Sequence, residues 1–200
     1  NAAFIALSRH FIGKGLNVPE VFAVSEDGMS YIQQDLGDMQ LYKAVTDGRM
    51  SGSYSEKECE LLCKTIAKLP DLQFRGAEDL DFGICYPSAE FDERLVMFDL
   101  NYFKYCFLKT SGLEFNESRL QDDFEKLSHD LLEEKSNTFL YRDFQARNVM
   151  LLDGEPYFID FQGGRKGPVY YDVASFIWQA RAAYPEELRS KMLSAYKQSL

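Results

Sequence analysis

The chain has little of what builds several familiar protein classes. Its 200 residues hold four cysteines, Cys59, Cys63, Cys85 and Cys106, irregularly spaced and with no C-x-x-C pair. An even count permits two disulfides, but so sparse a set is no disulfide scaffold, and free thiols in a reducing cytosol are expected. Only two histidines occur, His10 and His129. Both fall on amphipathic helical patterns, and with Cys59 and Cys63 they are too few for a zinc site. Basic residues are also short, 22 against 32 acidic, for a net charge of −10. That balance argues against nucleic acid and against an anionic membrane surface as partners. No apolar run approaches the roughly 18 residues of a spanning helix. The richest stretch, Leu95 to Leu108, is broken by Asp99 and Lys104. The opening Asn-Ala-Ala-Phe has neither Met nor a basic region, so no signal peptide is expected and Asn1 is read as a boundary rather than the natural start. The last helical pattern reaches Leu200 with no glycine or cap, and the natural chain is expected to continue.

What remains is an ordinary globular composition, 46% apolar and 27% charged. A chain of this length buries roughly 70% of its unfolded surface, so it needs no staples, and the composition excludes disorder and coiled coil.

The first 38 residues read as helix, strand, turn and strand. Phe4, Ile5, Leu7, Phe11 and Ile12 recur at helical spacing up to Gly13 and Gly15. Val18–Val24 predicts a strand entered through Pro19, and Met29–Gln34 its antiparallel partner across Ser25–Gly28. Asp35-Leu36-Gly37-Asp38 is a break. Beyond it the pattern turns helical. Ser55 and Glu58 have capping-box spacing, and Pro70 is expected to close that helix. Phe91–Lys109 predicts a long aromatic-rich helix stopping at Gly112, and Glu117–Lys135 a second one capped by Asn116. Tyr171–Ala183 and a segment opened by Pro185 complete the set.

The chemistry lies between Thr138 and Val169. Thr138–Tyr141 is a short β-like run that ends at Arg142-Asp143-Phe144-Gln145-Ala146-Arg147-Asn148. Val149–Leu152 is an apolar strand, Asp153-Gly154 a strong hairpin signal, and Tyr157-Phe158-Ile159 leads to Asp160. Asn148 precedes the first strand and Asp160 follows the second, so pairing brings both to the hairpin's open end. Neighbouring strands sit about 4.8 Å apart, close enough for both side-chain oxygens to meet one hard cation. Asp143 can fold over the same place. An amide oxygen and carboxylates, with no thiol or histidine, favour Mg²⁺ shared with nucleotide phosphates. The second carboxylate then suits the orientation and deprotonation of an attacking hydroxyl.

Arg142-Asp143-x-x-x-x-Asn148 followed by Ile159-Asp160-Phe161 resembles the catalytic and metal-binding loops of the protein-kinase-like superfamily. Ile159-Asp160-Phe161-Gln162, Gly167-Pro168 and Tyr171-Asp172-Val173-Ala174-Ser175 look like the aminoglycoside phosphotransferase family. Within it the chain is most similar to the bacterial kinases of N-acetylmuramate and N-acetylglucosamine. The resemblance spans essentially the whole chain, although only residues 139–175 are specific. It implies an α+β, protein-kinase-like fold. Residues 1–34 would be a remnant of the small lobe, 35–40 a hinge, and 41–200 a helical large lobe with its catalytic loop at 141–148 and metal loop at 159–162. It implies that Asp143 is the catalytic base, that Asn148 and Asp160 hold Mg²⁺, and that Gln33, Gln34, Asp35 and Leu36 meet the adenine of ATP. Asp172 would brace the catalytic loop from a helix start. Tyr141 stands where the family usually has histidine, a position that supports loop packing. Gln162 replaces the glycine of protein kinases, and only about ten residues separate Asp160 from Tyr171, too few for a peptide-docking segment.

One departure matters. The chain has no G-x-G-x-x-G loop and no lysine ahead of its first helix. In the family both lie upstream of that helix, so part of the small lobe is expected to be absent. The implied function is ATP-dependent phosphorylation of a small-molecule hydroxyl in the cytoplasm, with an amino sugar as acceptor. Aminoglycosides and choline or ethanolamine remain alternatives, since acidic pairs such as Asp122-Asp123 and Glu133-Glu134 would suit a cation as well as a solvated helix face. A catalytically inactive nucleotide-binding module and a purely structural helical domain are the rivals from other classes. Arg147 would reach a substrate or phosphate oxygen or pair with an acid. Tyr102, Phe103, Tyr105 and Phe107 are expected in the helix core, with a part in a sugar pocket as the alternative. The sequence leaves the oligomeric state open.

Overall fold

The computed structural model describes residues 1–133 and 136–200. Glu134 and Lys135, the end of a predicted helix and part of one acidic pair, lie outside the described residues.

Helix α1 (Ala2–Gly13) buries Phe4, Ile5, Leu7 and Phe11 on one face. Strands β1 (Val21–Val24) and β2 (Tyr31–Gln33) form an antiparallel pair with an irregularity between Val21 and Ala23. β1 is shorter than predicted because Val18 turns into the core ahead of Pro19. After the break come two short helices, α2 (Leu41–Ala44) and α3 (Thr46–Ser51). Helix α4 (Glu56–Ala67) carries the predicted capping box, with Ser55 and Glu58 each accepting from the other's backbone N–H. It ends at Ala67, so Pro70 does not close it. Pro70 instead sits in the first turn of α5 (Leu69–Gln73), where a missing N–H costs nothing.

Helix α6 (Glu93–Phe103) starts later than Phe91 because the Phe91 N–H is committed to the Lys166 carbonyl and Asp92 caps the helix. It continues through a π-helical turn (Lys104–Leu108) and a 3₁₀ turn to Gly112, which takes the left-handed conformation. Helix α7 (Glu117–Leu132) is capped by Asn116, as its sequence predicts, and packs on α6. The expected aromatic core of this helix is a correction. Tyr102, Phe103, Tyr105 and Phe107 are all exposed, because packing against α7 covers one stripe and these rings lie off it.

Strands β3 (Phe139–Leu140) and β6 (Arg165–Lys166) pair antiparallel, as do β4 (Val149–Leu152) and β5 (Glu155–Phe158). Gly164 allows the first pair to close, since a Cβ there would meet the Phe139 ring at 2.1 Å. Helix α8 (Val169–Ile177) stops six residues short of Ala183. Ala183 adopts a left-handed conformation and Tyr184 is buried, so the chain turns back before Pro185 opens α9 (Glu186–Gln198).

One continuous core joins α1, α4, α5, α8, α9 and the hairpin. Aromatic contacts thread it: Phe11 meets Phe139 at 5.0 Å and Phe161 at 5.4 Å, and Phe144 meets Phe176 at 4.8 Å. Among the described residues, no helix is long and apolar enough to cross a membrane.

Candidate active site

The site grows from the β4–β5 hairpin. Asp153 and Gly154 both have positive φ, 53° and 78°, as the two-residue loop of a tight hairpin requires. Leu152 therefore opposes Glu155 and Val149 opposes Phe158. The ladder continues one step further, with the Ile159 N–H donating to the Asn148 carbonyl at 3.0 Å. Asn148 and Asp160 thus emerge together at the open end, the juxtaposition that the sequence predicts. Loop segments outside the hairpin hold it in place: the Leu151 N–H donates to Met39 O, and the Phe158 N–H to Asn17 O, both at 2.8 Å.

The side chains are held individually. Asn148 is buried and donates through Nδ2 to the Asp143 carbonyl at 2.9 Å, which leaves its Oδ1 as the acceptor for a ligand. Asp160 has a left-handed backbone (φ 66°), and one of its carboxylate oxygens accepts a hydrogen bond from Gln162. Phe161, directly after it, is sealed against Phe4 and Phe11, so the turn carrying Asp160 is anchored in the core. Tyr141 is fully buried, and its hydroxyl donates to the Ile159 carbonyl. It thereby links the Tyr141–Asn148 loop to the strand before Asp160.

Asp172, in the first turn of α8, accepts from the Tyr141 N–H and the Arg142 N–H, each at 2.9 Å. This is the bracing role expected of it. Complete burial pushes its carboxyl up to about 7 and Asp143 adds to the rise, while the two N–H donors and Gln73 oppose it. Asp143 keeps a solvent-facing edge, yet partial burial and the neighbouring Asp160 raise its pKa, with Arg142 opposing and Asp99 adding. A raised pKa makes a carboxylate a better proton acceptor.

A polar cleft of about 590 Å³ opens here, lined by Tyr31, Gln40, Arg147, Asn148, Asp160 and Gln162 together with Asn1, Phe4 and Ile159. Arg147 lies over the Tyr42 ring at 4.5 Å, donates through Nη2 to the Tyr42 hydroxyl at 3.3 Å and has no acid partner among the described residues, so its positive charge on the cleft wall is not neutralised. Gln33, Gln34, Asp35 and Leu36 do not line this cleft; β2 contributes Tyr31 instead. A larger cleft of about 1150 Å³ lies between α3, α4 and the hairpin turn, and its lining includes none of Asp143, Arg147, Asn148, Asp160 or Gln162. Chemistry favours the smaller one, where an amide oxygen, a carboxylate and a guanidinium converge. Among the described residues, no three His, Cys, Asp or Glu side chains cluster as a metal cage. Two oxygen donors from Asn148 and Asp160 fit an ion that takes its remaining ligands from phosphate and water.

The chain is thus a mainly helical body with an embedded hairpin and a polar loop at its open end. The phosphotransferase enzyme family model matches residues 2–200, and the chain belongs to that family. It is 29% identical over 185 residues to an N-acetylmuramate/N-acetylglucosamine kinase of Neisseria meningitidis serogroup B, covering 90% of this chain and 52% of that protein. It is 24% identical over 197 residues to the protein of the same name from Pseudomonas aeruginosa, covering 96% and 54%. The chain thus spans about half the length of the curated relatives it matches. Among solved structures it is similar to the ADP-bound aminoglycoside phosphotransferase APH(2'')-Ib, with a TM-score of 0.67 at 19% identity over 98% of this chain and 65% of that one. A choline/ethanolamine kinase family protein from Mesorhizobium loti superposes with a TM-score of 0.61 at 11% identity, covering 99% and 60%. These two likenesses establish the protein-kinase-like α+β fold.

Proposed function

We propose that the protein containing this chain transfers the γ-phosphoryl group of ATP to a hydroxyl of a small molecule, and that this acceptor is an amino sugar. The observation that carries the reading is the open end of the β4–β5 hairpin, where Asn148 and Asp160 share a cleft wall and Asp143, outside that lining, is near enough to feel the Asp160 charge. Asp143 orients the acceptor hydroxyl and takes its proton. Its raised pKa supports that role. Asn148 and Asp160 would hold Mg²⁺, which when bound would neutralise charge on the transferred phosphate. Arg147 meets phosphate oxygens from the cleft wall. Residues 1–34 belong to the nucleotide-binding lobe, 35–40 form the hinge whose Gln33–Leu36 approach meets adenine, and 41–200 form the large lobe. A cytoplasmic location follows from ATP as donor.

The amino-sugar acceptor rests on the two curated relatives, whose names specify such kinases. The experiment offers the full-length protein N-acetylmuramate, N-acetylglucosamine, choline and aminoglycosides with ATP and Mg²⁺. The expected result is a phosphorylated amino sugar. Phosphorylation of choline or an aminoglycoside alone would reassign the acceptor. Nucleotide binding with no phosphorylated product would leave an inactive binding module.

A further inference from the structure

Arg142 occupies an unusual position. It is a non-glycine residue at φ 75°, directly before Asp143, and such a strained backbone persists only where its surroundings enforce it. The structure holds it from both ends. At the backbone, its N–H donates to Asp172 Oδ1. At the side chain, Nη2 donates to Asp99 Oδ1 at 2.9 Å. The other oxygen of Asp99 accepts from the Tyr171 hydroxyl at 3.3 Å, and the Phe91 ring lies 5.8 Å from the guanidinium carbon. The ion pair is largely shielded, with side-chain exposures of 20% and 31%. Arg142 Nη1 is buried with no hydrogen-bond partner among the described residues, and Asp99 is the acid that pairs with the guanidinium there.

The two partners belong to different parts of the molecule. Asp172 sits on α8 in the main core, whereas Asp99 sits on α6, in the α6–α7 arm. The arm's own apolar contacts gather in a small second cluster around Phe91, Val96 and Leu140. We propose that Asp99 is a positioning residue that fixes the left-handed turn at Arg142 and thereby couples the seating of the arm to the aim of Asp143. That Asp143 is the base rests on the function proposed above; the coupling itself does not. A shielded ion pair adds little net stability. Its value here is geometric, because displacing a reacting group by about 1 Å can cost about 10²-fold in rate.

The test compares intact wild-type protein with Asp99→Asn by hydrogen exchange. The expected result is faster exchange confined to residues 141–148, with α4 and α9 unchanged. Identical loop exchange overturns the proposal, as does loosening spread evenly over the whole domain. Kinetics then separate positioning from a merely structural role. For Asp99→Asn, kcat is expected to fall by about 10- to 100-fold with the KM for ATP unchanged, and Asp99→Glu is expected to recover part of the loss. A rise in KM for ATP with kcat intact would overturn the proposal. Loop loosening in Asp99→Asn, alongside a wild type that phosphorylates no acceptor, would sink Asp143 as base and leave the coupling standing.

Discussion

Two regions of the chain are rich in aromatic residues and dispose of them in opposite ways. Between β3 and α8, the rings of Phe139, Tyr141, Phe144, Phe158 and Phe161 are sealed from solvent. On the α6–α7 arm, Phe98, Tyr102, Phe103, Tyr105 and Phe107 stand open. The first set lies on short strands and turns enclosed by α1, α8 and the hairpin, so each ring meets several elements. The second lies on a two-helix arm, where one partner helix covers only a stripe. Aromatic density therefore reports a packing layer only where the topology supplies neighbours on more than one side. The sealed set also forms the rigid bed under the proposed catalytic loop. The open set is joined to that loop through Asp99.

This contrast can be broken experimentally, and the largest effect should come from the sealed side. Asp143→Asn removes the proposed base and is expected to lower kcat by about 10²- to 10⁴-fold with Mg²⁺-nucleotide affinity retained, read by steady-state kinetics and calorimetry. Turnover at the wild-type rate would remove Asp143 from the mechanism. Phe161→Ala opens a cavity beneath Asp160 and should cost about 3–5 kcal/mol in urea unfolding. On the arm, Phe107→Ala deletes an exposed ring and should stay within about 0.5 kcal/mol. Similar losses at both positions would erase the distinction between the two regions.

Asp172→Asn probes the brace under the loop. An amide oxygen can serve one of the two N–H donors at 141 and 142, so the other is left facing an NH₂ group, at a cost of about 1–3 kcal/mol. The pH dependence has a definite sign. The folded-state pKa of Asp172, about 7, lies above the ordinary 3.8, so the folded protein binds this proton more tightly. The contribution is complete below the ordinary value and is lost as pH rises through about 7. Asparagine does not titrate, so the stability advantage of wild type over Asp172→Asn should narrow across that window. A difference that widened with pH would contradict the burial argument.

Where chemistry or a turn imposes a fixed spacing, the sequence could be read closely. Asp153-Gly154 set a two-residue loop, and that loop set the register which brings Asn148 and Asp160 together. Ser55 with Glu58, and Asn116, marked helix starts through side-chain bonds to specific backbone groups. The α+β class and the bracing place of Asp172 came instead from the resemblance to the aminoglycoside phosphotransferase family. The burial of the arm was not, because helical periodicity says that a stripe packs but not how many stripes find partners. The ends of α4 and α8 were missed for a related reason. Pro70 is compatible with either closing or opening a helix, and the left-handed turn at Ala183 carries no local signal. The Asp99–Arg142 pair joins residues 43 apart, and nothing in either local sequence marks the other. The left-handed backbone at Arg142 is likewise imposed by tertiary contacts on a residue that does not favour it.

The most direct test of the whole account is calorimetric titration of the intact protein with ATP and Mg²⁺, repeated on Asn148→Ala and Asp160→Ala. The account predicts Mg²⁺-dependent nucleotide affinity at least about tenfold weaker in each variant with the fold intact. Affinity equal to wild type in both would contradict a divalent ion held at the open end of the hairpin.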